Sequence, residues 1–317
     1  MVHGGVRIGI DIGGTKTSFG FFDEAGKLVF FEKIGTEKDY EYLKDKMLSS
    51  IVRVVSEKGI KIKDIKKIGI ACAGQIDTEK GIVKFSPNLG WRDIPLKTDF
   101  ESFFSVETYV ENDANAATYG EWRFSFSGKP KNVVGIFIGT GVGGGIIIDG
   151  RLYRGSKSLA GEIGHMILNP DKYPCNCGSR GCFEAICGGD YILQRVRRIL
   201  DGSPKGKIWE MIRNGKLYVS YVEEGYYLGD EILKNIWEEV IVYLGFALVN
   251  IANIFNPELI ILGGGVIDGT KRLVSEAKRV FEEKAMFESK RHLSIEISKL
   301  GDRAGILGAA FIDGTIG

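Results

Sequence analysis

Four side chains in one short region can close a metal site: His165, Cys175, Cys177 and Cys182. Three thiolates and an imidazole form a Cys3His set, one of the closed tetrahedral classes used for structural zinc. Gly178 and Gly181 let the intervening loop turn tightly. The cysteines are separated by one and by four residues, so no redox C-x-x-C is present. Cys187 competes with His165 for the fourth place. The segment FEAICGG reads as helix, and five helical positions turn through about 500°, some 140° off the face of Cys182. His165 is therefore the expected fourth ligand, and the expected metal is structural.

A second chemistry lies in YVENDANAATYGE, where a strand hands over to a helix at Asn112 and Asp113. The ordinary use of Asn or Asp there is to cap the helix. The chemical use is a carboxylate that accepts a hydroxyl proton, since open α/β folds bind ligands at the carboxyl ends of their strands. SPNLGW offers the amide of Asn88 in a turn, and GEIGH offers Glu162 and His165 three residues apart. Amides, carboxylates and imidazole suit sugar hydroxyls, which both donate and accept.

Glycine clusters supply a third element. GGTKT is not a P-loop, because the four residues and the glycine that should precede Gly-Lys-Thr are missing. GTGVGG matches G-x-G-x-x-G, but a short β-branched run, IIID, follows where a dinucleotide fold needs a helix. Both clusters read instead as hairpin turns that cradle a polyphosphate on backbone N–H groups and hydroxyls. Gly13, Gly14, Thr15, Lys16 and Thr17 form the first cradle, and Gly139, Thr140 and Gly141 the second. Asp11, at the end of the strand before the first turn, suits a Mg²⁺ ion held through water.

The elements that must position these groups are written twice. IGIDIGGTKTSFGFFD (Ile8 to Asp23) and VGIFIGTGVGGGIIID (Val134 to Asp149) each read as strand, glycine turn, strand. KKIGIACAGQID and ELIILGGGVID form a second matched pair in the same order. Two similar α/β halves follow. Residues 39–59 carry apolar positions three to four apart and end at Gly59, a helix. Residues 235–258 form a long, very apolar helix stopped before Pro257, expected at the centre of a core. RAGILGAAFI is small and apolar, suited to close packing.

Composition narrows the function classes. Lys and Arg number 42 against 41 Asp and Glu, so the net charge of +1 provides no bulk field for nucleic acid or an anionic membrane. No apolar run reaches the ~20 residues of a spanning helix, and the first ten residues lack the parts of a signal peptide. A cytoplasmic chain with no nucleic-acid or membrane partner is expected. Five cysteines are too few for a secreted disulfide scaffold.

Taken together, DIGGTKT, GIACAGQID, SPNLGW, ENDANAA, GTGVGGGII, GEIGHM, CNCGSRGCFEA and LGGGV resemble the ROK (repressor, open reading frame, kinase) family of sugar kinases over almost the whole chain. GEIGH followed by C-x-C-G-x-x-G-C-x-E is the most specific part. The resemblance implies the hexokinase/actin-like fold: two RNase H-like domains around a cleft, here residues 1–118 plus 302–317, and 119–301. It implies an ATP-dependent hexose kinase acting on the 6-hydroxyl, glucose first, with Mg²⁺ and a structural zinc. Asp113 becomes the general base; Asn88, Asn112, Glu162, His165 and Glu184 hold the sugar. Gly263, Gly264, Gly265 and Val266 lie near the nucleotide. Fructose, mannose and N-acetylated hexosamines, N-acetylmannosamine among them, are the alternative substrates. The family's repressors carry a helix-turn-helix module ahead of the D-I-G-G-T strand, which here starts near Val6, so a sugar-responsive DNA-binding regulator is set aside. A homodimer or homotetramer is the family's usual state.

Overall fold

The computed structural model describes residues 5–200, 202 and 204–312; the ends of the expected first domain, 1–4 and 313–317, lie outside them. The chain divides into two compact units. The first comprises Met1–Lys131, Gly145–Gly161 and Asp302–Gly317, and the second Asn132–Gly144 and Glu162–Gly301.

In the first unit, β1 (Val6–Ile12), β2 (Lys16–Phe22) and β3 (Leu28–Gly35) form an antiparallel meander. Helix α1 (Tyr40–Glu57), capped by the Asp39 side chain, buries Leu43, Met47, Leu48, Ile51, Val54 and Val55. Strand β4 (Ile65–Cys72) then pairs parallel to β1. A three-stranded flap follows, β5 (Gln75–Asp77), β6 (Ile82–Ser86) and β7 (Trp91–Ile94), and then α2 (Leu96–Phe104). Strand β8 (Thr108–Asn112) pairs parallel to β4 and leads directly into α3 (Asp113–Gly120). The sheet order is β3-β2-β1-β4-β8.

A second five-stranded sheet repeats this plan. Strands β9 (Val133–Ile138), β10 (Val142–Ile148) and β11 (Arg151–Leu152), with β12 (Leu259–Gly263) and β13 (Ser294–Ile297), lie in the order β11-β10-β9-β12-β13. β9, β12 and β13 are parallel, as β1, β4 and β8 are. The duplication seen in the sequence is thus two copies of one strand order, the hexokinase/actin-like plan. From Gly145 onward the β10–β11 hairpin counts with the first unit. Between β11 and β12 come α4 (Phe183–Cys187), α5 (Gly189–Leu200), α6 (Lys207–Asn214), α7 (Val219–Tyr227) and α8 (Glu231–Phe255). Helix α8 starts four residues before the expected helix, capped by Asp230, and ends at Asn256 in the left-handed region. It is long and apolar enough to cross a membrane, yet Trp237, Val240, Leu244, Leu248 and Ile251 are buried in the core of this unit. After β12 come α9 (Gly265–Asp268), α10 (Leu273–Lys284) and α11 (Phe287–Arg291). The matched Ile-Asp pairs differ here: Ile76-Asp77 lies on a strand, Ile267-Asp268 on α9.

The first unit runs past residue 118 and takes in 145–161, both assigned from sequence to the other domain. Helix α3 continues into a π-helical turn, Glu121–Ser125, and the Trp122 indole donates to the Pro130 carbonyl at 2.7 Å. Arg154 reaches Glu111 of β8 at 2.7 Å. The last helix, α12 (Ala304–Phe311), closes the unit by backbone-to-backbone contact. A Cβ on Gly9 or Gly69 would stand 1.8 or 1.7 Å from the carbonyl oxygens of Ile306 and Ala309, and one on Gly308 1.8 Å from that of Ala116. Only glycine on both strands lets this helix lie so close.

Candidate functional site

Register places the first group of residues. Ile12, Cys72 and Asn112 lie side by side across β1, β4 and β8, so Asp11 and Asp113 come to the same carboxyl edge of the sheet. The cap at the start of α3 is Asn112, whose Oδ1 accepts from the N–H groups of Ala114 (3.0 Å) and Asn115 (3.1 Å). Its Nδ2 donates to the Gly74 carbonyl at 3.1 Å. Asn112, expected at a sugar, thus has both ends of its amide engaged in the scaffold. Asp113 is relieved of capping; its Oδ1 accepts from the Ala114 N–H at 2.9 Å. Burial raises its carboxyl above the usual range, and backbone N–H groups and Asn112 oppose the rise.

Asp11 is pushed up to about 7, first by burial and then by the charges of Asp113 and Asp302, with Lys33 opposing. Lys33 and Asp302 form an ion pair at 2.5 Å. The Asp11 carboxylate lies against the start of α12, where a Cβ on Gly305 would meet its Oδ2 at 2.6 Å. A carboxylate crowded by two others is one that a divalent cation would relieve, so the donor set fits Mg²⁺.

In the first glycine turn Gly14, Thr15 and Lys16 are exposed. Gly13 N–H donates to Lys16 O at 3.1 Å, and Asn88 packs beside Gly14. Thr17 behaves differently from the expectation: it is fully buried, and its hydroxyl bonds that of Thr36 at 2.8 Å. It fastens the hairpin because it is the first inward-facing residue of β2.

Two positions were not singled out in the sequence. Glu111 is buried, paired with Arg154, and accepts from the Asn112 N–H (3.0 Å) and Asn115 Nδ2 (3.0 Å). This pair holds the β8–α3 junction from behind. The other is Asp302, brought to Asp11 by the closing helix. A buried Glu on a strand hints at a partner, but a partner 43 residues away leaves no local signal.

In the second unit the ligand atoms of His165, Cys175, Cys177 and Cys182 all lie within 4.8 Å of one another. Cys177 Sγ is 3.6 Å from Cys182 Sγ, and Cys175 Sγ is 3.7 Å from His165 Nδ1. A tetrahedron with Zn–S near 2.3 Å and Zn–N near 2.0 Å has edges of about 3.6–3.8 Å, so the group fits such an ion. The sulfur separation is far beyond a disulfide. Cys187 is turned away, as the helical angle required: it is completely buried and faces the Val240 carbonyl. Glu162 Oε2 lies 3.9 Å from His165 Nε2, the ring nitrogen that faces away from the thiols, and both side chains are partly exposed.

Glu184 stands on α4 two residues after Cys182, and its Oε2 accepts from the Val142 N–H at 2.9 Å. One oxygen of this expected sugar ligand is therefore bound to the second glycine turn. In that turn Thr140 is exposed, and Gly139 and Gly141 are half-buried. At the end of β12, Gly264 has φ +92° and approaches Ile138, and Gly265 is exposed. Gly263 and Val266 are buried; Val266 packs against Gly189. Of the four, Gly264 and Gly265 present the accessible backbone.

Residues 7–314 match the model of the ROK family. The chain is 31% identical over 312 residues to the glucokinase of Streptomyces coelicolor, covering 96% of both chains. It is also 31% identical over 310 residues to the xylose repressor of Caldicellulosiruptor bescii, covering 96% of this chain and 77% of the repressor. Among solved structures, the ROK family glucokinase of Streptomyces griseus in complex with glucose and AMPPNP is 33% identical, with a TM-score of 0.78 over 96% of this chain and 98% of that one. The chain belongs to the ROK family.

Proposed function

We propose that this ROK chain is an ATP-dependent hexose kinase that phosphorylates the 6-hydroxyl of glucose, with Asp113 as general base. One observation carries the reading: Asn112 takes the capping duty at the strand-to-helix junction, leaving the adjacent carboxylate of Asp113 for a proton. The likeness to glucokinases, one of them solved with glucose and AMPPNP, supports the substrates.

In this reading Asp113 accepts the proton of the sugar 6-hydroxyl as that oxygen attacks the γ-phosphorus of ATP. The bond from γ-phosphorus to the bridging oxygen breaks, and ADP departs. Phosphoryl transfer needs positioning and charge stabilisation more than covalent help from the protein. The turns Gly13–Lys16 and Gly139–Gly141 hold phosphate oxygens on backbone N–H groups, and Gly264 and Gly265 approach the nucleoside. Thr17 contributes by fastening its hairpin to Thr36. Asp11 would hold a Mg²⁺ ion, whose chemistry there would be charge neutralisation of the transferred group. We assign sugar contacts to Asn88, Glu162, His165 and Glu184, and to the remaining N–H of Asn112. His165, Cys175, Cys177 and Cys182 would hold a structural zinc ion; His165 Nδ1 lies toward the thiols, which leaves Nε2 for a hydroxyl.

The test is kcat/KM across a panel of hexoses with ATP, for the purified protein and for Asp113→Asn. Turnover with glucose, lost in the variant, supports the reading. A preference for mannose, fructose or an N-acetylhexosamine replaces glucose but keeps the mechanism. Full turnover in Asp113→Asn would sink the base assignment. The similarity to a xylose repressor favours a second reading, a sugar-responsive regulator. It requires sugar binding without phosphorylation and a sugar-dependent electrophoretic shift of operator DNA.

A further inference from the structure

The metal-binding knot and the second glycine turn are packed as one piece. Glu184 Oε2 accepts from the Val142 N–H at 2.9 Å, and its Oε1 lies 4.0 Å from Cys175 Sγ. A Cβ on Gly141 would meet the same Glu184 oxygen at 2.3 Å. Gly164, next to His165, packs against Val142: a Cβ there would stand 2.1 Å from the Val142 carbonyl oxygen. Past α4, the Gly189 N–H donates to Gly139 O at 2.8 Å and the Asp190 N–H to Thr140 O at 3.0 Å. Both arms of the knot, the GEIGH loop and the cysteine loop with its helix, therefore grip the turn at Val142.

Each arm is itself tied to the other through the ligand loop. Phe183 N–H donates to Met166 O at 2.8 Å, and Leu168 N–H to Gly181 O at 2.9 Å. The Tyr191 hydroxyl accepts from the Asn176 N–H at 2.9 Å and faces Cys175 Sγ at 3.8 Å. Helix α4 has only five residues, too few to hold its own position without tertiary support. An ion on His165 and the three cysteines would lock the two arms at a fixed separation, and with them the carboxylate that orients Val142.

We propose that the metal knot holds the second glycine turn in its phosphate-accepting form through Glu184, a positioning residue, so that nucleotide affinity depends on metal occupancy even without sugar. This rests on the reading of Gly139–Gly141 as a phosphate cradle. The bonds Gly139 N–H to Gly141 O (2.9 Å) and Val142 N–H to Glu184 frame the amides of Thr140 and Gly141, which an oxyanion would take. Loss of the charged acceptor under Val142 frees the turn to rotate those amides away.

The experiment is calorimetric titration of AMPPNP, without sugar, into zinc-loaded protein, chelator-stripped protein and the zinc-loaded variants Glu184→Ala and Glu184→Gln. Removing one hydrogen bond to a charged group predicts about tenfold weaker binding for stripped protein and for Glu184→Ala. Glu184→Gln keeps an oxygen for the Val142 N–H and is expected to bind within about threefold of the parent. Stripping Glu184→Ala further is expected to add little, because the link is already cut. Unchanged affinity on stripping overturns the coupling and leaves the proposed function standing. Loaded protein that binds no AMPPNP overturns the proposed function and the coupling with it. Should stripping melt the fold by circular dichroism, the two loaded variants decide: equal affinities for Glu184→Ala and Glu184→Gln overturn the role of Glu184.

Discussion

The two glycine turns occupy equivalent places in equivalent sheets, yet they are held in opposite ways. The first fastens itself: Gly13 bonds Lys16 across the turn, and Thr17 bonds Thr36 just past the end of β3. The second is gripped from outside by Glu184 of α4 and by the GEIGH loop. Duplication of a strand order therefore did not duplicate the means of support. The first unit spends its long-range contacts elsewhere, on the Glu111–Arg154 pair and the closing helix α12, which set the carboxylates Asp11 and Asp113. The carboxylates Asp11 and Asp113 lie in one unit and the Cys3His group in the other.

That division can be broken most sharply at Asp113. Asp113→Asn is expected to lower kcat by roughly 10²–10⁴-fold, the usual worth of a general base, while zinc content stays at the parent level. The parent's kcat/KM should fall on the acid side with a midpoint above the ordinary aspartate range of about 4, because burial raises this carboxyl. A midpoint at or below that range contradicts the assigned environment.

Arg154→Met tests whether the first unit depends on its buried pair. Leaving Glu111 charged and unpaired should cost about 3–5 kcal/mol in a denaturant titration. Nucleotide affinity in the folded fraction should respond less than it does to Glu184→Ala, since Glu111 bonds the β8–α3 junction.

Thr17→Val is a smaller probe. It removes one buried hydroxyl pair and should cost about 1 kcal/mol by the same titration. A loss of nucleotide affinity greater than a few-fold would show that the first turn is less self-sufficient than its bonds indicate.

Asp11→Asn gives the most directional effect. The folded carboxyl is pushed up to about 7 against 3.8 for the ordinary group, so between these values the unfolded chain has already released a proton that the folded one keeps. The unfolded state binds fewer protons there, and stability falls as pH rises from about 4 to 7. The asparagine variant should lack this decline and show a higher Tm than the parent at pH 8 without added metal. A variant less stable than the parent at pH 8 contradicts the crowding of Asp11.

Much of this arrangement was legible before any coordinates. Strand-turn-strand patterns around both glycine clusters reflect periodicity and turn chemistry, which are local. Cys187 could be separated from the metal group because helical geometry is a local rule as well. Which of Asn112 and Asp113 caps α3 was not legible, since both residue types cap equally well. The burial of Thr17 was hidden because its partner Thr36 lies 19 residues away, just past the end of β3. Asp302 was missed because only the packing of α12 on Gly9 and Gly69 carries it to Asp11.

The sequence by itself therefore determined the repeated α/β plan, the Cys3His set and the residue types available for a kinase. These depend on spacing along the chain and on the chemistry of single side chains. Tertiary structure alone decided which groups were free to act. It committed Asn112 and Thr17 to the scaffold, crowded Asp11 with two carboxylates, and tied Glu184 to the backbone of Val142. Those assignments depend on hydrogen bonds and charges between residues distant in sequence, and such pairings exist only once the sheets and helices have packed.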